Sequence, residues 1–239
     1  MLRLIYPPRC PVCNCILGKD KLVCKKCVDG LSYNEDMVCE KCGKPISENA
    51  KLCRDCEKGG HKFTKARSVW VLEGEIREAL YRFKFNNRRD YAKFFSYEAV
   101  KRTGEWIREI NPDAIVAVPM HKKAVRVRGY NQSLVLAREI SKLTGIKTDE
   151  KLIIKVKNTL PQKGLSARDR KNNLKNAFKL NRNDVQLKSI LIVDDIYTTG
   201  STADAVAEIL NNAGVGNVYV LCMCTGRIHK AGYMQNIDD

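Results

Sequence analysis

Four Cys-x-x-Cys pairs near the start of this 239-residue chain constrain its fold more than any other feature. Two cysteines separated by two residues direct both thiolates toward one ion, and two such pairs complete a tetrahedral zinc site without an open position. The regular spacing of the pairs is typical of a tandem repeat. It predicts a small N-terminal module, residues 1–62, of two zinc knuckles or ribbons, with two structural Zn²⁺ ions held by Cys10, Cys13, Cys24, Cys27, Cys39, Cys42, Cys53 and Cys56.

Other uses of these cysteines fit the sequence less well. A disulfide framework suits secreted proteins, and the opening residues 1–8 are too short for a secretory signal. A redox role for one Cys-x-x-Cys pair would need a surrounding βαβ pattern. The residues leave the wiring open: the pairs could be joined sequentially or crossed, one half could lack metal, and Cys15 or His61 could replace a ligand.

The charge of the chain predicts an anionic partner. It carries 43 basic and 27 acidic side chains, for a formal charge of +16. The excess is greatest in residues 131–180 and changes sign in residues 181–239. Such a balance favours nucleic acid or a phosphorylated metabolite as a ligand. Because no apolar run approaches the roughly 18 residues of a membrane span, we expect a cytoplasmic protein that is not inserted into a membrane.

Beyond a predicted linker at residues 57–65, strands alternate with helices. This order predicts a second domain, residues 66–239, of the α/β class with a doubly wound, mainly parallel sheet. Cys222 and Cys224 are expected to be packing residues of its last strand. The predicted strands are Ser68–Leu72, Ala114–Val118, Leu152–Val156, Ile190–Val193 and Val218–Cys222, and the predicted helices are Glu75–Phe85, Asp90–Ile110, Asn131–Thr144 and Ser201–Asn212.

The strongest chemical signal is an apolar strand that runs into two acids, a hydroxyl-rich turn and a helix. Backbone N–H groups at such a turn form an anion cradle, and Gly200 lets the main chain approach a ligand. Asp194 and Asp195 would lie beside the phosphate and accept hydrogen bonds from sugar hydroxyls. These residue types also cap helices, but their combination favours a sugar-phosphate site with these phosphate-binding residues: Thr198, Thr199, Gly200, Ser201 and Thr202.

This segment resembles the PRPP-binding motif of type I phosphoribosyltransferases. The cysteine pairs, Arg-Gly-Tyr-Asn-Gln-Ser at 128–133, the polar pattern at 159–173 and Ala177-Phe178 are together similar to the ComF family of competence proteins. The resemblance covers nearly the whole chain. It implies a type I phosphoribosyltransferase fold behind a zinc module, and a role in the uptake of transforming DNA with proteins of the uptake machinery as further partners.

The resemblance also implies roles for individual residues. Asp194 and Asp195 would contact the ribose hydroxyls as catalytic residues, and the turn after them would hold the 5′-phosphate. Thr159–Lys175 matches a mobile hood loop, in which Arg170 is a catalytic candidate together with Arg168 and Lys171; a solvated helix face is the competing interpretation. The diphosphate of PRPP, with Mg²⁺ held mainly by ligand oxygens, would lie at the turn formed by Pro119, Met120, His121, Lys122 and Lys123.

Three functions stay open, because no residue pattern identifies an acceptor. The preferred one is a DNA-handling protein with a PRPP-binding domain. The others are a phosphoribosyltransferase acting on an unknown small-molecule acceptor and a PRPP-responsive regulator. The first predicts that single-stranded DNA binds the basic middle of the chain, with bases stacked on Phe83, Phe85 or Tyr130, unless these rings belong to the core. The basic candidates are Arg82, Lys84, Arg88, Arg89, Lys122, Lys123, Arg126, Arg128 and Arg168–Lys175.

Overall fold

The computed structural model describes residues 7–34, 37–47, 50–159, 167–182 and 185–226. No helix within these ranges is long and apolar enough to cross a membrane. The elements in chain order are α1 (Lys25–Val28), α2 (Arg54–Glu57), β1 (Lys65–Val71), α3 (Gly74–Phe85), α4 (Ala92–Ile110), β2 (Ala114–Ala117), α5 (Lys122–Arg128), α6 (Gln132–Thr144), β3 (Ile153–Lys155), α7 (Ala167–Leu174), β4 (Phe178–Leu180), β5 (Ser189–Tyr197), α8 (Ser201–Asn212) and β6 (Asn217–Thr225).

The central sheet has four strands in the order β1-β6-β5-β2, and every neighbouring pair is parallel. Along β5, Leu191 and Val193 belong to one apolar core, whereas Ile190 and Ile192 belong to the other. Helices α3, α4 and α6 contribute to the first core, and α8 contributes to the second. Burial on both faces explains why these strands are continuous apolar runs. The predicted doubly wound α/β sheet is confirmed.

The predicted strand Leu152–Val156 is an exception, because it does not join this sheet. β3 instead pairs antiparallel with β4, with Ile153 opposite Leu180, and forms a separate two-stranded sheet. A short apolar run indicates a buried strand without indicating its neighbour. Several boundaries also differ. β1 begins at Lys65, within the predicted linker, and a 3₁₀ turn (Arg89–Tyr91) precedes the helix predicted from Asp90. β5 continues beyond the predicted Val193 to Tyr197, and β6 continues beyond the predicted Cys222 to Thr225.

The N-terminal residues fold as two matching repeats. The N–H of Cys10 donates to the carbonyl of Cys15, and the N–H of Cys39 donates in the same way to Lys44. Asn14 and Gly43 occupy equivalent positions with left-handed backbones, at φ 62° and 70°. Gly43 is required there, since a Cβ would lie 2.9 Å from the carbonyl oxygen of Ala66 in β1.

The two repeats lie on opposite faces of the sheet. Cys10, Val12 and Leu17 of the first repeat pack into the core formed with α3 and α4. The cysteines of the second repeat pack into the core formed with α8. Between the repeats the chain follows the outer edge of β1, where Tyr33 forms an antiparallel bridge with Trp70 and the N–H of Asn34 donates to Val69.

Candidate metal centres and ligand-binding cleft

The eight paired cysteines form two groups of four thiols. We call Cys10, Cys13, Cys24 and Cys27 the first cluster, and Cys39, Cys42, Cys53 and Cys56 the second cluster. Within each cluster the Sγ atoms all lie within 4.8 Å of one another. The Sγ atoms are 3.7 Å apart for Cys13 and Cys24 and 3.5 Å apart for Cys42 and Cys53. A zinc tetrahedron with Zn–S bonds of about 2.3 Å has edges of about 3.8 Å, so both clusters fit a zinc ion.

The pairs are thus joined sequentially, the first with the second and the third with the fourth. Within the described residues, neither Cys15 nor His61 belongs to a four-thiol group. Of the alternatives that the spacing left open, the structure therefore supports sequential pairing with a complete ligand set in each half.

The two clusters differ in accessibility. In the first cluster Cys10 is buried, Cys13 is exposed, and Cys24 and Cys27 are half-buried. All four cysteines of the second cluster are buried. A chelator therefore has direct access to one thiol of the first cluster, whereas the second cluster is enclosed by the packed side chains of its core.

A cation anchors each repeat. The guanidinium of Arg82, on α3, donates to the carbonyl oxygens of Pro11 and Val12 at 2.8 and 2.7 Å. In the second repeat, Lys44 is buried and its Nζ lies 2.9 Å from Asp55 Oδ2. Arg82, a predicted contact for DNA, therefore holds the first repeat against the sheet domain.

The acid pair Asp194 and Asp195 lies near the carboxyl end of β5. Ser133 Oγ donates to Asp194 Oδ1 at 2.8 Å, and the N–H of Asp195 donates to the same oxygen at 2.9 Å. Lys84 Nζ lies 3.0 Å from Asp195 Oδ2. Burial, assisted by the charge of Asp195, raises the pKa of Asp194 to about 7. One acid is thus neutralised by a cation, and the other holds its proton close to neutral pH.

The turn after the acids joins β5 to α8. Gly200 immediately precedes α8 with a left-handed backbone, at φ 81°. The hydroxyls of Thr199 and Ser201 are 2.8 Å apart. A cleft opens here between the turn and the apolar side chains of the sheet. Its lining includes Asp194, Thr198, Gly200, Ser201 and Thr202. One predicted acid and four of the five predicted phosphate-binding residues therefore line the same cleft. The other acid, Asp195, and the remaining threonine, Thr199, are next to them in the chain but are not part of the lining.

A histidine that the sequence offered only as an alternative metal ligand supports this turn. His61 Nε2 lies 2.9 Å from the hydroxyl of Tyr197, and His61 Nδ1 lies 2.9 Å from Asp204 Oδ2. Burial is the main cause that raises the pKa of Tyr197 far above its usual range, so its hydroxyl stays protonated. Sequence reasoning gave no role to Tyr197 or Asp204, or to Ser133, although Ser133 lies in a motif that it singled out.

The second predicted ligand turn, Pro119–Lys123, begins beside the cleft. Val118 lines the cleft, and its carbonyl oxygen accepts a hydrogen bond from Asn131 Nδ2 at 3.0 Å. His121 caps α5 by accepting from the N–H of Lys123, and the side chains of Lys122 and Lys123 are exposed. The assignment of Pro119, Met120 and the following residues to a diphosphate stays a prediction.

Part of the predicted hood loop, residues 160–166, lies outside the described residues. Arg168, Arg170 and Lys171 are placed on α7, which contacts α8. The catalytic role of Arg170 stays a prediction.

Two of the three rings predicted to stack on DNA bases are core residues instead. Phe83 is 0% exposed and Tyr130 is 5% exposed. Phe83 lies on the inner face of α3, at helical spacing from Ile76, Ala79 and Leu80. Phe85 is 54% exposed on the outer face, 4.8 Å from the ring of Tyr81, which the sequence reasoning missed.

The basic candidates for DNA contacts divide in the same way. Lys84 pairs with Asp195, and Arg88 pairs with Asp90 at 2.7 Å. Among the candidates whose side chains the structure describes, the exposed cations are Arg89, Lys122, Lys123, Arg126 and Lys175. The Arg128 guanidinium lies 4.8 Å from the ring of Phe85. We call Tyr81, Phe85 and Arg128 the aromatic platform.

Comparison with protein families matches both parts of the chain. The model of the double zinc ribbon domain matches residues 1–57. The model of the phosphoribosyl transferase domain matches residues 98–232.

Comparison with individual proteins finds relatives along most of the chain. Competence protein F of Haemophilus influenzae is 32% identical over 222 residues, which cover 89% of this chain and 94% of the relative. DNA utilization protein YhgH of Escherichia coli K12 is 30% identical over 229 residues, which cover 92% and 98%. Competence protein ComFC of Bacillus subtilis is 26% identical over 208 residues, which cover 83% and 82%.

Proposed function

We propose a function for this chain from the premise that it belongs to the family of competence protein F and DNA utilization protein YhgH, in which a double zinc ribbon precedes a phosphoribosyltransferase domain. The family indicates a role in competence or DNA utilization. In detail, we propose a cytoplasmic protein that binds PRPP with Mg²⁺ in the cleft and single-stranded DNA on its basic surface. Residues 1–62 and 66–239 are proposed as its two domains.

The juxtaposition of Asp194 and the phosphate turn in one cleft, with Asp195 next in the chain, is the observation that supports PRPP binding. The backbone N–H groups and hydroxyls of Thr198–Thr202 would donate to the 5′-phosphate. The carboxylates of Asp194 and Asp195 would accept from the ribose hydroxyls. When bound, Mg²⁺ would neutralise charge on the diphosphate, and it would be held mainly by ligand oxygens.

Ser133 and Lys84 prepare the acid pair for this ligand. Ser133 fixes one oxygen of Asp194 through its 2.8 Å hydrogen bond, so the carboxylate is oriented before a sugar arrives. Lys84 offsets the charge of Asp195, which reduces repulsion between two neighbouring acids and an anionic ligand. The cleft is therefore arranged for a group that carries both a diol and a phosphate.

Calorimetric titration of the protein with PRPP and Mg²⁺ tests the cleft. We expect saturable binding and a rise in the melting temperature, because a ligand that binds only the folded state stabilises it. The double variant Asp194→Ala/Asp195→Ala is expected to lose both effects and remain folded.

A matched control removes a carboxylate with another partner. Asp149 pairs with Arg182 at 2.7 Å, and Asp149→Ala should keep the full response to PRPP. Unchanged PRPP binding by the double variant would contradict the proposed site.

The aromatic platform supports the proposed DNA binding. Two half-exposed rings and an arginine lie on one surface near the exposed cations of α5. Single-strand binding proteins combine such rings, on which bases stack, with cations that contact phosphates. The platform replaces the buried Phe83 and Tyr130 as the proposed stacking surface.

Fluorescence titration with a labelled oligonucleotide at several salt concentrations tests this surface. Each phosphate contact should contribute about −0.7 to the slope of log affinity against log salt. Phe85→Ala should weaken binding by about 5- to 150-fold, which corresponds to about 1–3 kcal/mol for one stacked base. Tyr97→Ala, which removes a 47% exposed ring from α4, is the matched control. Equal affinity of the two variants would exclude the platform.

A transferase acting on an unknown acceptor is the second candidate, and the acid pair beside the phosphate turn is the observation that favours it. In that reaction the diphosphate leaves the ribose as the acceptor bonds to it, so acceptor-dependent release of diphosphate from PRPP is the assay. Diphosphate release that occurs only with DNA present would support both candidate functions together. PRPP binding without diphosphate release would favour a DNA-handling protein that senses PRPP.

A further inference from the structure

We infer that His61 is a positioning residue: it holds the phosphate turn in its binding conformation through Tyr197 and Asp204. The inference rests on the proposed PRPP site. It assigns a ligand-related role to the segment between the second cluster and β1, which lies outside the residues matched by the phosphoribosyl transferase model.

His61 connects the two ends of the turn. Tyr197 is the last residue of β5, and Asp204 lies in the first turn of α8. A carboxylate only accepts hydrogen bonds, so Nδ1 of the ring donates to Asp204, and Nε2 shares the second hydrogen bond with the Tyr197 hydroxyl. Thr198–Thr202, the phosphate turn, lies between these two contacts in the chain.

The histidine ring also packs directly behind the turn. The side chain of His61 is 6% exposed, and its ring stacks on Phe63 with centroids 4.6 Å apart. A Cβ on Gly200 would lie 2.6 Å from the Tyr197 hydroxyl and 2.7 Å from His61 Cε1. The backbone of the turn therefore rests on this pair of side chains, and its close approach requires glycine at position 200.

The same contacts occupy both oxygens of the Asp204 carboxylate. Asp204 lies in the first helical turn after the cradle, where a carboxylate competes with a phosphate for positive ends of backbone dipoles. Its Oδ2 bonds to His61, and its Oδ1 accepts from the N–H of Lys62 at 2.8 Å. Without His61, one oxygen of Asp204 loses this partner and can turn toward the cradle.

The segment that carries His61 is fixed at several points. Asn211 Nδ2, on α8, donates to the carbonyl of Lys62, and the N–H of Thr64 donates to Val218 in β6. Lys44, of the second repeat, places its Nζ 5.6 Å from the centroid of the Tyr197 ring. The first two contacts fix the segment of His61 against α8 and β6, and the third joins the second repeat to Tyr197.

The test measures the affinity for ribose 5-phosphate, which carries the phosphate without the diphosphate, by calorimetry of the full chain. Tyr197→Phe removes one hydroxyl oxygen, and we expect about 5- to 10-fold weaker binding, the effect of losing one hydrogen bond. His61→Ala is expected to weaken binding at least as much. Tyr33→Phe is the matched control, since the hydroxyl of this tyrosine donates to Glu98 at 2.8 Å and is not part of the turn.

Rescue separates positioning from general stability. His61→Gln keeps an amide that can reach the Tyr197 hydroxyl, and it should recover much of the affinity that His61→Ala loses. Melting temperatures of Tyr197→Phe and Tyr33→Phe should be similar. Affinities of Tyr197→Phe and His61→Ala equal to that of Tyr33→Phe, or a loss that His61→Gln does not reverse, would overturn the inference. Wild-type protein that binds neither PRPP nor ribose 5-phosphate would instead refute the proposed function itself.

Discussion

The first and second cysteine clusters share one sequence pattern and occupy different environments. The first cluster lies on the α3 and α4 face, exposes Cys13 to solvent and is held by Arg82. The second cluster lies on the α8 face and is buried in the same core as β5 and α8. Equal spacing therefore builds two similar four-thiol sites, whereas the surrounding core encloses the second more completely than the first.

Equivalent positions show how the repeats have diverged. The carbonyls of Cys15 and Lys44 accept the same knuckle hydrogen bond, yet the side chain of Cys15 is exposed and that of Lys44 is buried. Lys44 pairs with Asp55 and lies near Tyr197, so the second repeat reaches the phosphate turn. Within the described residues, the first repeat makes no cation–ring contact of this kind with Tyr197.

The largest expected effect comes from removing one ligand of the second cluster. Structural zinc sites contribute on the order of 10 kcal/mol to folding, comparable with the whole stability of a domain. Cys42→Ser should therefore unfold the α8 face and yield mostly insoluble protein, whereas Cys13→Ser, at the equivalent position of the first cluster, should stay soluble. Circular dichroism and thermal melts measure the difference.

The control for this comparison adds Cys15→Ser to Cys13→Ser, so that the neighbouring thiol cannot replace the lost ligand. Equal loss of stability in the variants of the two clusters would show that burial does not set the importance of the metal.

The second expected effect is a difference in the rate of metal loss. Zinc analysis of the protein should give about two ions per chain, released in two phases by a chelating dye. We expect the ion of the first cluster to leave at least 10-fold faster, because Cys13 is exposed and the second cluster is buried. Cys13→Ser should remove the fast phase only, and a single phase with both ions leaving together would contradict this.

A smaller effect is expected on how protein stability depends on pH. It arises from Asp194, which lies on the same sheet face as the second cluster. Asp194 has a pKa raised from 3.8 to about 7, so the folded state keeps a proton that the unfolded chain has lost between these values. The stability contribution of this group is therefore lost as pH rises through that window. Asp194→Asn should become more stable than the wild type as pH rises: the gap in melting temperature should widen from about pH 4 to about pH 7 and then level off. Asp90→Asn, an exposed acid, should show no widening.

The smallest effect is expected for the cysteine outside both clusters. Cys15→Ser should retain two zinc ions, and its free energy of unfolding should change by less than about 0.5 kcal/mol, as is usual for exposed positions. Metal analysis and urea denaturation measure this. Loss of one zinc ion from this variant would show that Cys15 is a ligand and that the two clusters bind metal through different sets of cysteines.

Features encoded by local spacing could be predicted from the sequence. The cysteine ligands, the helix Ser201–Asn212 and the neighbouring acids and phosphate turn each lie within a short segment, where residue type and periodicity determine the structure. Phe83 and Phe85 were harder to distinguish, because only the docking of α3 on the sheet decides which ring is buried.

Contacts between distant segments could not be predicted in this way. His61 reaches Tyr197 across 136 positions and Asp204 across 143 positions. No periodicity records such a contact, since it arises when the second repeat docks beside α8. The pairing of β3 with β4 depends likewise on tertiary arrangement, because either strand alone satisfies the pattern of a buried strand.

The chain that joins the two repeats also protects the protein from aggregation. β1 is one of the two edge strands of the central sheet, and an uncovered edge offers free N–H and C=O groups to strands of other molecules. Tyr33 and Asn34 occupy that edge through their contacts with Trp70 and Val69. A protein shortened to begin at the sheet domain would present the uncovered edge of Lys65–Val71 to its neighbours and would be prone to self-association by strand addition.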